Sequence, residues 1–541
     1  MDGLHEFRSM DFLEQVALLK EIETGKDAKA IEGLCTFLED PIGDDAVDTM
    51  VRAVLRALLL ENEDKTFEGL DRESAAVRNF CVGIVAEKGL AKAGPRLLEL
   101  SGLEKDPEAL LGILRAMAEI RAPEFLGAFQ KHLSSEDPLL AETAVRMIGV
   151  YRDRSSLPVL CEVVAANEQD DRYETCEVIT WSAINSLEAL RSSEALDFLV
   201  EKIHHKNPTA RRFIHEALVR IGPDVLDSLF EMFQKGDRDQ KIMAVNVMGF
   251  MGHERCLDVL IQALEPKDAD PNVVFAAYDS LGNIPDAKAF DRLLKALCSE
   301  RDEAGLIAAA GAVDKQMGHG MARSPDEVVQ KLTACNQGQR EKILRAVVSA
   351  KAVNLFEVLY QDQALADELI ERIVASRDQG VVEAFRTGLA GISDPRAAKD
   401  AEKLPQPGEE DADARAKLLA VDDSGSMLNF YRGVAGDLGF AATTAENGKI
   451  AWDLLEKGLK PDVIVVDMNM PEMDGIEFTT RVRGNPLYEG LPIVMATTES
   501  EKSQARLAKN AGVNAFLIKP FKAEVLSHRI KKVLERASAE T

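Results

Sequence analysis

Five polar side chains stand where short apolar runs end: Asp422 and Asp423 after residues 417–421, Asp467 after 463–466, Thr497 after 493–496 and Lys519 after 515–518. Runs of this length, rich in β-branched residues and closed by turn formers, predict strands buried on both faces, as in a parallel sheet. In an open α/β sheet the carboxyl ends of the strands share one edge, and chemistry is placed there. Three carboxylates on one edge repel one another and hold protons unless a cation joins them. A hard divalent cation with oxygen ligands meets that need, and Mg2+ suits because it also takes phosphate oxygens. A hydroxyl (Thr497) and an ammonium (Lys519) can hold the remaining oxygens of a phosphoryl group. The set is suited to phosphoryl transfer onto a carboxylate, with Asp467 as the nucleophile.

The elements that must position these groups follow from the pattern between 417 and 541. Strands are expected at 417–421, 440–445, 463–467, 493–496 and 515–518, and helices at 426–438, 449–457, 475–483, 502–511 and 523–536. Five β-α units in a little over a hundred residues predict a doubly wound, five-stranded parallel sheet of flavodoxin-like type.

The stretches V-D-D-S-G-S-M, D-M-N-M-P-E-M-D-G, M-A-T-T-E and K-P-F together resemble the receiver domain of two-component response regulators. The resemblance implies that Asp467 accepts a phosphoryl group from a cognate histidine kinase. It implies that Asp422, Asp423 and Asp467 hold Mg2+ with the backbone carbonyl of Asn469, that Thr497 is the switch hydroxyl, and that Lys519 binds the phosphoryl group, with a cis bond to Pro520. Phe516 matches the aromatic whose rotamer reports phosphorylation. Thr498 departs from the family, which usually has Ala or Gly there, and crowds phosphoryl access. Among receivers the sequence is most similar to the single-domain chemotaxis regulator, including Asn469 and Glu499, and this implies fast phosphate loss.

The first three quarters of the chain carry a different pattern. From about 11 to 391, runs of 12 to 16 residues with helical apolar spacing alternate with short turns. Asp106-Pro107, Asp137-Pro138, Asn207-Pro208 and Asp270-Pro271 each place an N-cap acceptor before a proline at the first helical position. They are separated by 31, 70 and 63 residues, near one or two units of 31 to 35, and Asp171 and Asp237 mark the intervening starts. Ala144 with Gly149, Ala217 with Gly222, Ala244 with Gly249 and Ala277 with Gly282 follow as small residues and helix-ending glycines. A two-helix period in this range marks an α-solenoid. It resembles HEAT repeats, ten to twelve of them, which implies a protein-binding or scaffolding surface. The expected domains are therefore 1–391 (all-α, HEAT-like solenoid), 392–415 (an acidic, proline-bearing extended linker) and 416–541 (receiver).

Of 541 residues, 92 are acidic and 65 basic, for a net charge of −27, yet the stretch from Lys417 onward is nearly neutral. The acidic excess belongs to the solenoid and disfavours nucleic-acid binding there. No apolar run approaches the roughly 20 residues of a membrane helix, and the first ten residues lack a secretory h-region. The seven cysteines lie apart without a C-x-x-C pair and read as reduced thiols of a cytoplasmic protein. His204-His205 with Arg211-Arg212 reads as a solvated basic patch, and Trp181, Phe230, Met232 and Phe233 read as core. The solenoid shows no cluster of catalytic residues, so no reaction is expected beyond the receiver's own phosphorylation and dephosphorylation. The expected role is a signalling adaptor that acts through an unidentified protein partner of the solenoid. The alternative is a phosphate sink or chemotaxis accessory that the solenoid localises.

Overall fold

The Asp-Pro and Asn-Pro steps start helices. The side chains of Asp106, Asp137, Asn207 and Asp270 each accept a first-turn amide of the helices Pro107–Ile120, Pro138–Tyr151, Pro208–Ile221 and Pro271–Gly282. Asp237 achieves the same end with a reciprocal capping box to Gln240, which satisfies two otherwise orphaned amides at once. These positions belong to a computed structural model that describes residues 2–166, 178–265, 270–321, 324–376, 378–405, 416–497, 502–519 and 521–540. The expected start at Asp171 lies outside the described residues.

The small residues behave as expected: Ala144, Ala217, Ala244 and Ala277 are fully buried. Two of the four glycines do not end helices. Gly149 lies inside Pro138–Tyr151 and Gly249 inside Arg238–Met251. A Cβ at Gly149 would overlap Ser186, and one at Gly249 would overlap Ser280. Each serine hydroxyl donates to a carbonyl of the neighbouring helix, Ser186 to Val145 at 2.8 Å and Ser280 to Val245 at 3.0 Å. The glycine thus admits the next helix to backbone distance, and the sequence spacing resembled a helix stop only because Gly does both jobs.

The chain divides into two units, Met1–Val163 with Asn185–Leu190 and Val164–Ile184 with Arg191–Thr541. The first is all helical, with Leu114, Met117, Phe125, Phe129, Met147 and Ile148 in its core. The second joins the helices from Ser193 onward to a five-stranded sheet. Trp181 is 43% exposed, against the expectation that it is core. Phe230, Met232 and Phe233 are half-buried.

The segment expected to be an extended linker contains a helix, Pro395–Lys403, started by another Asp-Pro cap at Asp394. Its Asp400 is 7% exposed and accepts the hydroxyl hydrogen bond of Tyr360. Composition favoured extension, but burial of Ala397 and Leu404 together with this hydrogen bond favours the helix. Residues 406–415 lie outside the described set.

The sheet is as expected. β1 (Lys417–Val421), β2 (Ala441–Ala445), β3 (Val463–Asp467), β4 (Ile493–Thr497) and β5 (Ala515–Ile518) are all parallel, in the order β2-β1-β3-β4-β5. Helices Gly425–Asp437, Gly448–Glu456, Gly475–Arg483, Lys502–Asn510 and Ala523–Glu540 alternate with the strands. β3 is buried at all five positions, with Ile464 and Val466 packed beside Ile476, Phe478 and Met495. Strand order reverses between β1 and β3, and the crevice beyond their carboxyl ends is the switch point where such folds bind ligands.

Candidate functional site

β1 and β3 run in register, with Val421 beside Val466, so the residues that follow them emerge together. Asp422 is fully buried and Asp467 is 5% exposed. Lys519, one residue past β5 and 8% exposed, bridges them: its Nζ lies 2.7 Å from Asp422 Oδ2 and 2.6 Å from Asp467 Oδ1. The second oxygen of Asp467 accepts the amide of Asn469 at 2.7 Å. Asp422 also accepts from the Ser424 amide at 3.0 Å and the Tyr431 hydroxyl at 3.1 Å.

Burial is the main influence on the protons here. It pushes the Asp467 carboxyl up to about 6, against the opposing pull of the Lys519 ammonium. Burial and the neighbouring Asp422 and Asp467 push the Asp423 carboxyl well above its usual range. The paired acids outweigh burial at Lys519 and hold its proton firmly. One ammonium therefore leaves three carboxyl groups under-compensated.

Thr497 ends β4 fully buried, and its carbonyl accepts the Lys519 amide at 2.6 Å. Phe516 is half-buried against the cluster beneath the site. Thr498, Glu499 and Pro520 lie outside the described residues. The structure thus brings Asp422, Asp423, Asp467, Thr497 and Lys519 to one edge, as their positions after the strands required.

Among the described residues, no group of three or more His, Cys, Asp or Glu side chains is arranged to hold a metal ion. Mg2+ keeps several waters and uses one or two carboxylates together with phosphate oxygens. The donors here are all oxygens with surplus negative charge, so the residues fit that cation.

Gly475 fixes the loop after β3. Its amide donates to the Met468 carbonyl at 2.9 Å, and a Cβ there would overlap the carbonyl oxygen of Asp467. The obstacles are backbone atoms, which cannot swing aside. Gly475→Ala is expected to destabilise the sheet domain by about 1–3 kcal/mol, seen as a lower urea midpoint of the full chain by circular dichroism.

The sequence reading missed a second set of groups, which comes from the solenoid helices of the same unit. Arg211, expected in a solvated patch, is 1% exposed: its guanidinium donates to Asn469 Oδ1 at 3.1 and 2.6 Å and to the His205 carbonyl at 2.8 Å. His205 is also fully buried. Arg212 donates to the Glu472 carbonyl and lies 3.7 Å from Glu477. Thr209 Oγ1 donates to Asp474 at 2.9 Å, Asn272 Nδ2 to the Lys519 carbonyl at 3.0 Å, and Ser424 Oγ to Asp279 at 2.6 Å. The only sequence signal was two arginines in the first turns of a helix within an acidic array, and it did not specify what packs on them.

A doubly wound sheet that presents three acids, a buried hydroxyl and a lysine at its switch point defines a receiver-type protein. The sequence model of the response regulator receiver domain matches residues 418–531. The chain is 42% identical over 125 residues to a chemotaxis protein CheY homolog of Campylobacter jejuni, covering 23% of this chain and 96% of that one. It is 38% identical over 119 residues to chemotaxis protein CheY1 of Helicobacter pylori, covering 22% and 96%. A solved structure of Vibrio cholerae chemotaxis protein CheY4 is 38% identical, covering 22% of this chain and 99% of that one, with a TM-score of 0.22. The chain belongs to the CheY-like response regulator receiver family, and its residues 226–313 match HEAT repeats. Among the described residues no helix is long and apolar enough to cross a membrane.

Proposed function

We propose that this chain is a response regulator that accepts a phosphoryl group on Asp467 from a histidine kinase and passes the signal on through protein contacts of its solenoid or receiver surface. The observation that carries the reading is the bridge from Lys519 to both Asp422 and Asp467 at the switch point.

In transfer, a carboxylate oxygen of Asp467 forms the new P–O bond while the P–N bond to the donor histidine breaks, and the electron pair leaves on the imidazole. The Asn469 amide fixes one oxygen of Asp467 and leaves the other to react. The Lys519 ammonium, already 2.6 Å from Asp467 Oδ1, takes up charge on the phosphoryl oxygens, and the hydroxyl of Thr497, buried at the end of β4, would donate a hydrogen bond to one of them. Asp422, Asp423, Asp467 and the Asn469 carbonyl would hold Mg2+, which supplies positive charge to the transferring group. Hydrolysis of the acyl phosphate returns the carboxylate, and no other reaction is assigned to the chain. The reading implies a cytoplasmic protein that meets a soluble kinase domain.

The alternative, a phosphate sink that the solenoid only localises, is less well supported because solenoid side chains grip residues next to the acceptor. Incubation of the full chain with Mg2+ and acetyl phosphate is expected to give an acid-stable, base-labile label that is absent in Asp467→Asn. Label that persists in that variant would remove Asp467 from its role.

A further inference from the structure

Three solenoid side chains hold the residues that flank the phosphoacceptor chemistry. Arg211 binds the side chain of Asn469, whose amide fixes Asp467. Asn272, 5% exposed, binds the carbonyl of Lys519, whose ammonium bridges the acids. Asp279 accepts from Ser424, the residue after Asp423. Between these grips lies a cavity of about 600 Å³ that reaches from Asp279, Asn246 and His215 of the solenoid to Asp422, Asp467 and Lys519.

The charges facing this cavity decide what a phosphoryl group would do. The solenoid side contributes Asp279 within and Asp302 and Lys315 at the exposed rim; burial holds His215 neutral, its proton affinity lowered to about 4. The receiver side contributes Asp422, Asp423, Asp467, Glu446 and Lys519. Arg211 and Arg212 do not line the cavity and are directed at Asn469 and Glu472. Conversion of a carboxylate to an acyl phosphate adds about one negative charge, and Asp279 opposes it across the cavity. The added group also competes with Asp467 for the Lys519 ammonium, and Lys519 is the residue whose carbonyl Asn272 holds.

Resting on the phosphoacceptor reading above, we propose that the solenoid face built by Pro208–Ile221 and Pro271–Gly282 is a latch for the receiver's phosphorylation face, closed while Asp467 is a free carboxylate and released when it carries a phosphoryl group. Release exposes on the solenoid a surface with Thr209, Arg211, Arg212 and Asn272 that the receiver otherwise covers.

The test is amide hydrogen exchange on the full chain with Mg2+, with and without beryllofluoride, alongside ¹⁹F NMR to register bound fluoride. Exchange in residues 205–221, 270–282 and 469–477 is expected to rise at least tenfold with beryllofluoride, while the amides of β1 and β3 stay protected. Bound fluoride with unchanged or slower exchange in these segments overturns the latch and leaves the phosphoacceptor standing. No bound fluoride overturns both. Arg212→Glu, which sets a carboxylate against Glu477, is expected to give the fast exchange without beryllofluoride while β1 and β3 stay protected. Asp279→Asn keeps the acceptor for Ser424 without the charge and is expected to cut the beryllofluoride response severalfold; a full response would remove Asp279 from the mechanism.

Discussion

Lys519→Ala is expected to be among the most damaging single substitutions in the receiver. In the absence of divalent cations it should lower stability by about 3–5 kcal/mol, because Asp422 and Asp467 would remain buried without their ammonium. Chemical denaturation of the full chain followed through the receiver's amide exchange reads this directly. Millimolar Mg2+ should restore part of the loss, since a cation bound by the same oxygens compensates the same charge. The pH dependence has a defined sign. The Asp467 carboxyl titrates at about 6 in the folded chain and near 3.9 when exposed, so the folded state binds a proton that the unfolded state gives up. Stability contributed by that proton is present below pH 4 and is lost as pH rises through 6. Removal of Lys519 raises the Asp467 carboxyl further and extends this decline to higher pH, and labelling by acetyl phosphate should fall at least a hundredfold. A variant as stable as the parent without Mg2+ would show that the ammonium does not compensate the acids.

Arg211→Ala should rank next. Arg211 is one of the largest fully buried side chains in the chain, and truncation leaves a void and deprives His205 and Asn469 of a donor. Loss of about 3 kcal/mol is expected for the second unit. The adjacent Arg212, largely buried beside Glu477 at 3.7 Å and hydrogen-bonded to the Glu472 carbonyl, should cost less as Ala, about 1–2 kcal/mol. Equal costs for the two would mean that Arg211 is solvated, as its sequence context first suggested. Thermal unfolding of both variants, followed at the solenoid helices by amide exchange, separates the outcomes.

Much of the receiver was legible because its chemistry and its topology are recorded in the same residues. An apolar run that ends in an acid names both a strand and the edge where the acid emerges, and β1, β3 and β5 begin and end within a residue of where pattern placed them. The helix starts of the solenoid were legible for a local reason: a cap and a proline act within one turn. What failed depended on partners distant in sequence. Gly149 and Gly249 resembled stops because nothing nearby shows that Ser186 and Ser280 press against them. Trp181 has the spacing of a core residue and lies at the surface. Arg211 sits some 258 residues from the asparagine it binds, a separation at which charge and periodicity carry no information. The helix Pro395–Lys403 was hidden by an acidic, proline-bearing composition, although its Asp394-Pro395 cap matched the device recognised elsewhere.

Lys519 is held at both ends: its ammonium by the acids of the sheet, its carbonyl by Asn272 of the solenoid. In the proposed latch, sensor and lever are the same amino acid, with five bonds of side chain between them. Signals in many switch proteins must traverse a packed interior through a chain of rearrangements, each with its own barrier. In the latch proposed above the first step is a movement of this one lysine side chain, and rotamer changes take picoseconds to nanoseconds in accessible side chains and longer in buried ones. The delay between arrival of the phosphoryl group and the solenoid's response should then be set by separation of the two surfaces, not by transmission between them.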